Sequence, residues 1–151
     1  MRYLIAFIYA QVINLVETFI WVGRLWGLKP PFPTTQGEVR NDGYHTVLAI
    51  FYVVPYALTY CCEPLVIATL STLTWLLNDI MWHIWSVNPR YHLHWLRFYF
   101  NPYSNQVVWY ARFGFFKIAV TPKRMFTVTV LRVIAVTFLI ATCEGILSTI
   151  L

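Results

Sequence analysis

The chain alternates between long apolar runs and shorter stretches rich in proline, charge and aromatic residues. Four apolar runs, at about 3–22, 46–62, 65–87 and 126–147, each approach the ~20 residues that a helix needs to cross the hydrocarbon core of a bilayer. The second and third runs are separated by the sequence CCEPL, where Pro64 lacks a backbone N–H and disfavours helix in the residue before it. The pattern predicts four spans. A single kinked span followed by a helix in the membrane plane is the three-span alternative.

Two connections interrupt the apolar runs. The first contains Pro30, Pro31 and Pro33, which exclude helix and favour an extended path. The second, 88–124, is too apolar for a solvated loop and too charged to span. We expect it to lie at the membrane interface, with helix near 106–118. The predicted fold is an all-α integral membrane protein, a four-span helical bundle with an aromatic, basic interfacial segment, forming one polytopic membrane domain over 1–151.

Composition points to the same class of protein. Hydrophobic residues make up 59% of the chain and charged residues 11%, against the ~25% charged residues of soluble domains. The mean hydropathy is +0.60. Aromatic residues reach 19%, and many lie near charges, as is typical of side chains that anchor at a bilayer interface. The apolar N-terminal run is interpreted as the first span and not as a cleavable signal, because it is long and no A-x-A site follows.

Charge predicts the orientation. A tight hairpin at Glu63-Pro64 places both connections on one side, together with nine of the eleven cations. By the positive-inside rule this is the cytoplasmic or matrix side, with the termini on the opposite side. A basic block beside apolar spans favours anionic headgroups over nucleic acid, which we do not expect as a partner. The nine are Arg24, Lys29, Arg40, Arg90, Arg97, Arg112, Lys117, Lys123 and Arg124, and the last six are the predicted headgroup contacts.

Four ionisable residues interrupt the spans at a similar depth: Glu17, Asp79, His83 and Arg132. At ~1.5 Å rise per residue they lie roughly 6–12 Å from the basic face of the membrane. An uncompensated charge at mid-helix costs about 2.5–3.5 kcal/mol on insertion scales, so such groups usually pair inside the protein. We expect an intramembrane polar cluster in which Arg132 pairs with Asp79 or Glu17 and His83 bonds within the group.

Three roles for this cluster stay open. It can fix helix register, as buried polar groups do in some proteins. It can catalyse acid–base chemistry on a lipophilic substrate, with Asp79 and His83 as acid and base and Glu17 as support. It can also conduct protons or ions. Asp79 and His83 can ligate one ion with Glu17 as a third ligand, but no Glu-x-x-His pair supports a di-iron site. His83 is the single candidate haem ligand in a span. No metal or cofactor is therefore predicted, and bound phospholipid is expected.

Three cysteines occur, too few for a disulfide framework or a zinc finger. Cys61, Cys62 and Cys143 are all expected at the face opposite the basic connections. We expect three buried, inert thiols. The alternative is a disulfide of Cys143 with Cys61 or Cys62, if that compartment is oxidising.

The proline-rich and aromatic connections resemble surfaces that another protein covers. We therefore expect a small accessory subunit, without catalytic activity of its own, in a larger hetero-oligomeric membrane complex. An energy-transducing (respiratory) membrane such as the mitochondrial inner membrane is the expected setting. The alternative is a small membrane-embedded enzyme acting on an isoprenoid, sterol or other lipid.

Overall fold

The computed structural model describes residues 1–34, 43–113 and 115–145. The described chain is mainly helical and carries one two-stranded antiparallel sheet. The helices are α1 (Arg2–Trp21), α2 (Tyr44–Thr59), α3 (Pro64–Ser86), α4 (His92–Tyr99) and α5 (Pro122–Cys143), the strands are β1 (Trp109–Phe113) and β2 (Phe116–Val120), and a 3-10 turn covers Pro89–Tyr91.

Three of the helices are long and apolar enough to cross a membrane. α1, α3 and α5 have 20, 23 and 22 residues, or ~30, ~34 and ~33 Å of helix. This fits the predicted helical membrane protein. α2 is also apolar but has 16 residues, or ~24 Å, so it falls short of a ~30 Å hydrocarbon core. The helix of the last predicted span begins one turn before 126, because Pro122 is accepted in the first turn of α5; 147 lies outside the described residues.

The predicted helix near 106–118 is wrong, although the chain as a whole is mainly helical and fits the predicted helical membrane protein with one small sheet added. This stretch forms a hairpin in which Trp109 pairs with Val120 and Ala111 with Ile118. Aromatic and β-branched residues dominate both arms, and such side chains favour a pleated strand over a helix. Earlier in the second connection the 3-10 turn and α4 are helical, and residues 100–108 join α4 to β1 without regular structure.

α3 is the central helix, and it contacts α1, α2 and α5. α1 runs parallel to α3: Ala6 packs with Val66 and Leu70 near the start of α3, whereas Thr18 bonds with Ser86 at its end. Ala6 and Ala10 are fully buried. Small residues of this kind allow helix backbones to approach closely.

α2 and α5 run antiparallel to α3. In α2, Tyr56 bonds with Thr74, while the earlier residue Tyr52 bonds with the later residue Asn78. In α5, the first turn packs at the end of α3 through Met125, and the last residue, Cys143, packs near Leu70. The four helices thus alternate in direction along the chain.

The start of α1 and the end of α5 meet. Arg2 Nη2 lies 2.6 Å from Glu144 Oε1, and the Tyr3 hydroxyl donates to the same oxygen. The Tyr3 hydroxyl, and secondly Arg2, lower the pKa of the Glu144 carboxyl below its usual value. This corner lies at the opposite end of the bundle from the two connections.

The first connection caps the end of α3. The last carbonyls of a helix lack intrahelical partners. Here Trp26 donates its indole Nε1–H to Ile84 O at 3.0 Å and its backbone N–H to Trp85 O at 2.8 Å. Leu28 N donates to Ser86 O at 3.0 Å. Trp26 has φ 54°, a left-handed value uncommon for a non-glycine residue.

An aromatic core, which we call the cap, closes the same end of the bundle. Trp95 of α4 stacks on Tyr99 at 4.9 Å between centroids, and Tyr99 stacks on Trp109 of β1 at 5.1 Å. Phe32 meets Trp95 edge-on at 5.0 Å, and Trp82 of α3 lies at 5.6 Å. The cap therefore joins both connections to α3. Burial raises the pKa of the Tyr99 hydroxyl well above its usual value.

We predict that Trp95→Ala destabilises the cap by about 3–5 kcal/mol, the usual cost of removing a large buried aromatic side chain. Phe115→Ala is the control, because Phe115 is fully exposed and its removal is expected to cost within about 0.5 kcal/mol. Unfolding in detergent followed by near-UV circular dichroism measures both. Equal losses in the two variants would contradict the packing described.

Glu144 predicts a pH dependence of stability. Because its pKa is lower in the folded protein, its contribution is fully present above the unfolded value of 4.5 and is lost as the pH falls through the folded pKa. The unfolding temperature of Glu144→Gln should therefore lie below that of the wild type at neutral pH, and the gap should close on acidification. Glu63→Gln, at an exposed carboxylate with no ion pair among the described residues, is the control and should show no such gap.

Candidate functional site

A polar stripe runs along α3 within otherwise apolar sequence. Ser71, Thr74 and Asn78 are buried and recur at helical spacing, so they share one face. Asp79 lies beside this face. In a bilayer no water reaches these groups, so their partners must come from neighbouring helices.

Asn78 joins three helices. Its side-chain Nδ2 donates to Asn14 Oδ1 of α1 at 2.6 Å and also to Glu17 Oε2. Its Oδ1 accepts the hydroxyl of Tyr52 from α2. The Tyr44 hydroxyl donates to the other oxygen of Glu17. Glu17 is thus held by two donors from two helices and forms no ion pair with a described residue.

Arg132 of α5 forms an ion pair with Asp79 of α3. The guanidinium also lies over the ring of Trp75, 3.8 Å from its centroid. Both charged side chains are largely shielded, with 13% and 20% of their area exposed. The pair is a polar link between α5 and α3.

His83 lies apart from this pair. Its Nδ1 bonds with Ile80 O of its own helix at 2.9 Å, and its ring meets that of His92 at 5.1 Å. Of the expected cluster, the structure thus brings Arg132 to Asp79 and places Glu17 against Asn78, while His83 faces the cap.

The cysteines and the basic residues occupy the two ends of the bundle. All three thiols are free, with the sulfur atoms of Cys61 and Cys62 3.7 Å apart. The expected burial is wrong for Cys61 and Cys62, which are exposed. At the cap end, Arg90, Arg97, Lys123 and Arg124 are exposed, Lys117 lies over the Tyr110 ring at 4.4 Å, and Arg112 is half-buried; Arg40 is outside the described residues.

A cavity of about 520 Å³ lies between α2 and α3. Its volume is within the roughly 300–1,000 Å³ of typical ligand sites. One end is polar and contains Glu17, His45, Asn78 and Asp79, beneath Trp109 of the hairpin. The remaining wall is mainly apolar and extends along α3 to Pro64. The rise along α3 between Pro64 and Asp79 is ~22 Å, so the cavity is elongated along this helix.

Ser71 is the polar group midway along this wall. Its residue is 9% exposed, and its Oγ has no hydrogen-bond partner among the described residues. A buried hydroxyl without a partner usually carries a desolvation cost of ~1–3 kcal/mol. A hydrogen-bonding group inside the cavity would remove that cost.

The sequence interpretation considered ionisable residues and missed the neutral ones. Asn78, Asn14 and Tyr52 carry most of the network, yet none bears a charge. Asn78 could have been recognised from the sequence as a candidate site residue, because it lies directly before Asp79 in an apolar span and an amide in a bilayer also needs partners. Their joint role depends on the packing of three helices, which periodicity alone does not give.

Fold and site together fit a helical membrane protein with a buried polar layer and an elongated cavity. The chain matches no family model, no curated protein and no solved structure.

We predict that Asp79→Asn costs about 3–5 kcal/mol of stability, because it leaves Arg132 shielded and unpaired. The double variant Asp79→Leu with Arg132→Met should recover most of that loss, since replacing both members of a buried pair with apolar residues is often neutral or stabilising. Arg97→Met removes an exposed cation and is the control. Unfolding in detergent measures all three, and a double variant no more stable than Asp79→Asn would contradict the pairing.

Proposed function

We propose that this is an integral membrane protein whose four apolar helices all cross the bilayer. The parallel arrangement of α1 and α3 supports this topology, because a chain that crosses twice in one direction must return between the two crossings. α2 lies between them in sequence and runs in the opposite direction. Its ~24 Å length is accommodated by local thinning of the bilayer.

The cap faces the cytoplasm, or the matrix if the membrane is mitochondrial. Eight described cations lie at the cap end, and the positive-inside rule favours that orientation. The exposed members contact anionic headgroups. The eight are Arg24, Lys29, Arg90, Arg97, Arg112, Lys117, Lys123 and Arg124.

The function that the site supports best is binding of a lipophilic molecule within the membrane. The observation that carries this proposal is the cavity between α2 and α3, apolar along most of its length and polar at one end. A site of this form suits a molecule with a long apolar part and one polar group.

Catalysis by the predicted acid–base set has less support. Glu17 and Asp79 line the cavity, but Asp79 is paired with Arg132 and His83 bonds elsewhere. A general base must lie within hydrogen-bond reach of the proton it removes. Binding without chemical conversion is therefore the proposal.

The second candidate is an accessory subunit of a larger membrane complex, as in a respiratory membrane. One observation favours it: α5 is attached to the bundle through a narrow face, and its other side is exposed and apolar. A neighbouring subunit can cover that side, which includes Phe126, Val130, Leu131, Ile134 and Phe138.

We predict that cysteines introduced one at a time at Lys29 and Tyr103, both exposed, react with an impermeant maleimide from one face of sealed vesicles. These variants carry serine at the native cysteine positions. In the wild-type protein, Cys61 and Cys62 should react from the opposite face. Solubilised protein, in which all should react, is the control. Labelling of residues 61 and 103 from one face would exclude the four-span topology.

We also predict that the protein purified in mild detergent retains a lipophilic molecule that organic extraction and mass spectrometry identify. Ala68→Trp should reduce its yield at least several-fold, since Ala68 lines the cavity. Ala135→Trp is the control: it makes the same change on the exposed side of α5, and this variant should retain the lipophilic molecule.

Native mass in the same detergent distinguishes the two candidates. A particle far above 17.8 kDa with a fixed set of partner proteins would favour the accessory subunit. A monomer or small homo-oligomer that carries an extractable lipophile would favour the binding protein.

A further inference from the structure

We propose that the occupant of the cavity is a long-chain amphiphile whose head group donates hydrogen bonds, an amine or a hydroxyl, and that the head lies at Glu17. This inference rests on the proposed binding function and specifies its ligand. It follows from the charge of the polar end, the size of the side chains along the wall, and the exposed flank of α2.

The polar end contains two carboxyl groups, and among the described residues one cation is paired with them. Arg132 compensates Asp79, whereas Glu17 pairs with no cation among the described residues. Each oxygen of Glu17 already accepts one hydrogen bond, from Tyr44 and Asn78. A carboxylate has about four acceptor positions, so further donors can be accommodated.

The Glu17 carboxyl group, which forms no ion pair with a described residue, selects the head group. An ammonium or hydroxyl group supplies a donor that Glu17 accepts, and an ammonium also supplies a counter-charge for the carboxylate. A carboxylate or phosphate head supplies no charge that complements Glu17, and the Glu17 carboxylate repels it strongly in a medium of low dielectric constant. The aromatic walls at this end, Tyr52, Trp75 and Trp109, add attraction for a cation.

The wall beyond the polar end fits a hydrocarbon chain. Ala49 of α2 and Ala68 of α3 leave space between the helices, and Leu48, Val53 and Ile67 supply an apolar surface. Ser71 Oγ is unpartnered about 12 Å along α3 from Asp79, so it can bond with a second polar group on the chain.

Access from the bilayer is available along α2. Val53 both lines the cavity and is 46% exposed, so the wall is continuous with the outer surface of the bundle. Its neighbours Ile50 and Val54 are also exposed and apolar. A chain can therefore enter sideways from the lipid.

The test uses three probes with one hydrocarbon chain and different heads: oleylamine, oleyl alcohol and oleic acid. Each is added to the full-length protein in mixed micelles at equal mole fraction and neutral pH, and occupancy is measured by native mass spectrometry. We expect the amine and the alcohol to bind, and the acid to bind at least ~10-fold more weakly, as the loss of a hydrogen bond to a charged group implies.

Two variants separate the head group from the chain. Glu17→Gln keeps an oxygen acceptor but removes the charge, so it should reduce oleylamine occupancy at least ~10-fold and change oleyl alcohol little. Ala68→Trp should exclude all three probes, and Ala135→Trp should exclude none. Far-UV circular dichroism checks that each variant is folded.

The outcomes distinguish this inference from the proposed function. Binding of oleic acid as tight as that of the amine, blocked by Ala68→Trp, would overturn the head-group assignment and leave lipophile binding in place. If Ala68→Trp leaves the occupancy unchanged, or if no probe binds, both the head-group assignment and the proposed binding function are overturned. Amine binding that is insensitive to Glu17→Gln would place the head elsewhere and overturn the assignment to Glu17.

Discussion

Inside a bilayer every polar group must find its partner within the protein, and the architecture of this chain follows from that constraint acting on α3. The central helix presents an amide, a carboxylate and several hydroxyl groups. α1 contacts the amide through Asn14 and Glu17, α2 through Tyr52, and α5 supplies Arg132 for the carboxylate. Apolar packing between helices is weakly directional in lipid, so these bonds fix which helix lies beside which.

The carbonyls at the end of α3 extend this constraint to the end of the bundle. Trp26 and Leu28 satisfy three of them, which holds the first connection against the bundle. Val87, fully buried, continues into the aromatic core with Trp95. The cap is therefore an extension of the central helix, and its position over the polar end of the cavity is determined by the same bonds.

Hydrophobic run length was sufficient to predict the helical class and three helices long enough to span, and Pro64 located the break before α3. Charge at mid-helix indicated that Arg132 needed an acidic partner, and the structure pairs it with Asp79. The hairpin was missed because its aromatic and basic side chains also suit an interfacial helix, and strand pairing is non-local. Asn78 and the cavity were missed because both depend on how three helices meet.

The pairing of Arg132 with Asp79 also has a consequence for biogenesis. In the proposed four-span topology the helices insert in chain order, so Asp79 would enter the membrane while its partner, 53 residues later, is still being synthesised. A nascent chain that ends before α5 would then carry a carboxylate without its cation, at an insertion cost of a few kcal/mol. A carboxylate already in place would in turn lower the insertion cost of Arg132, so the third helix would assist the last one in entering the membrane.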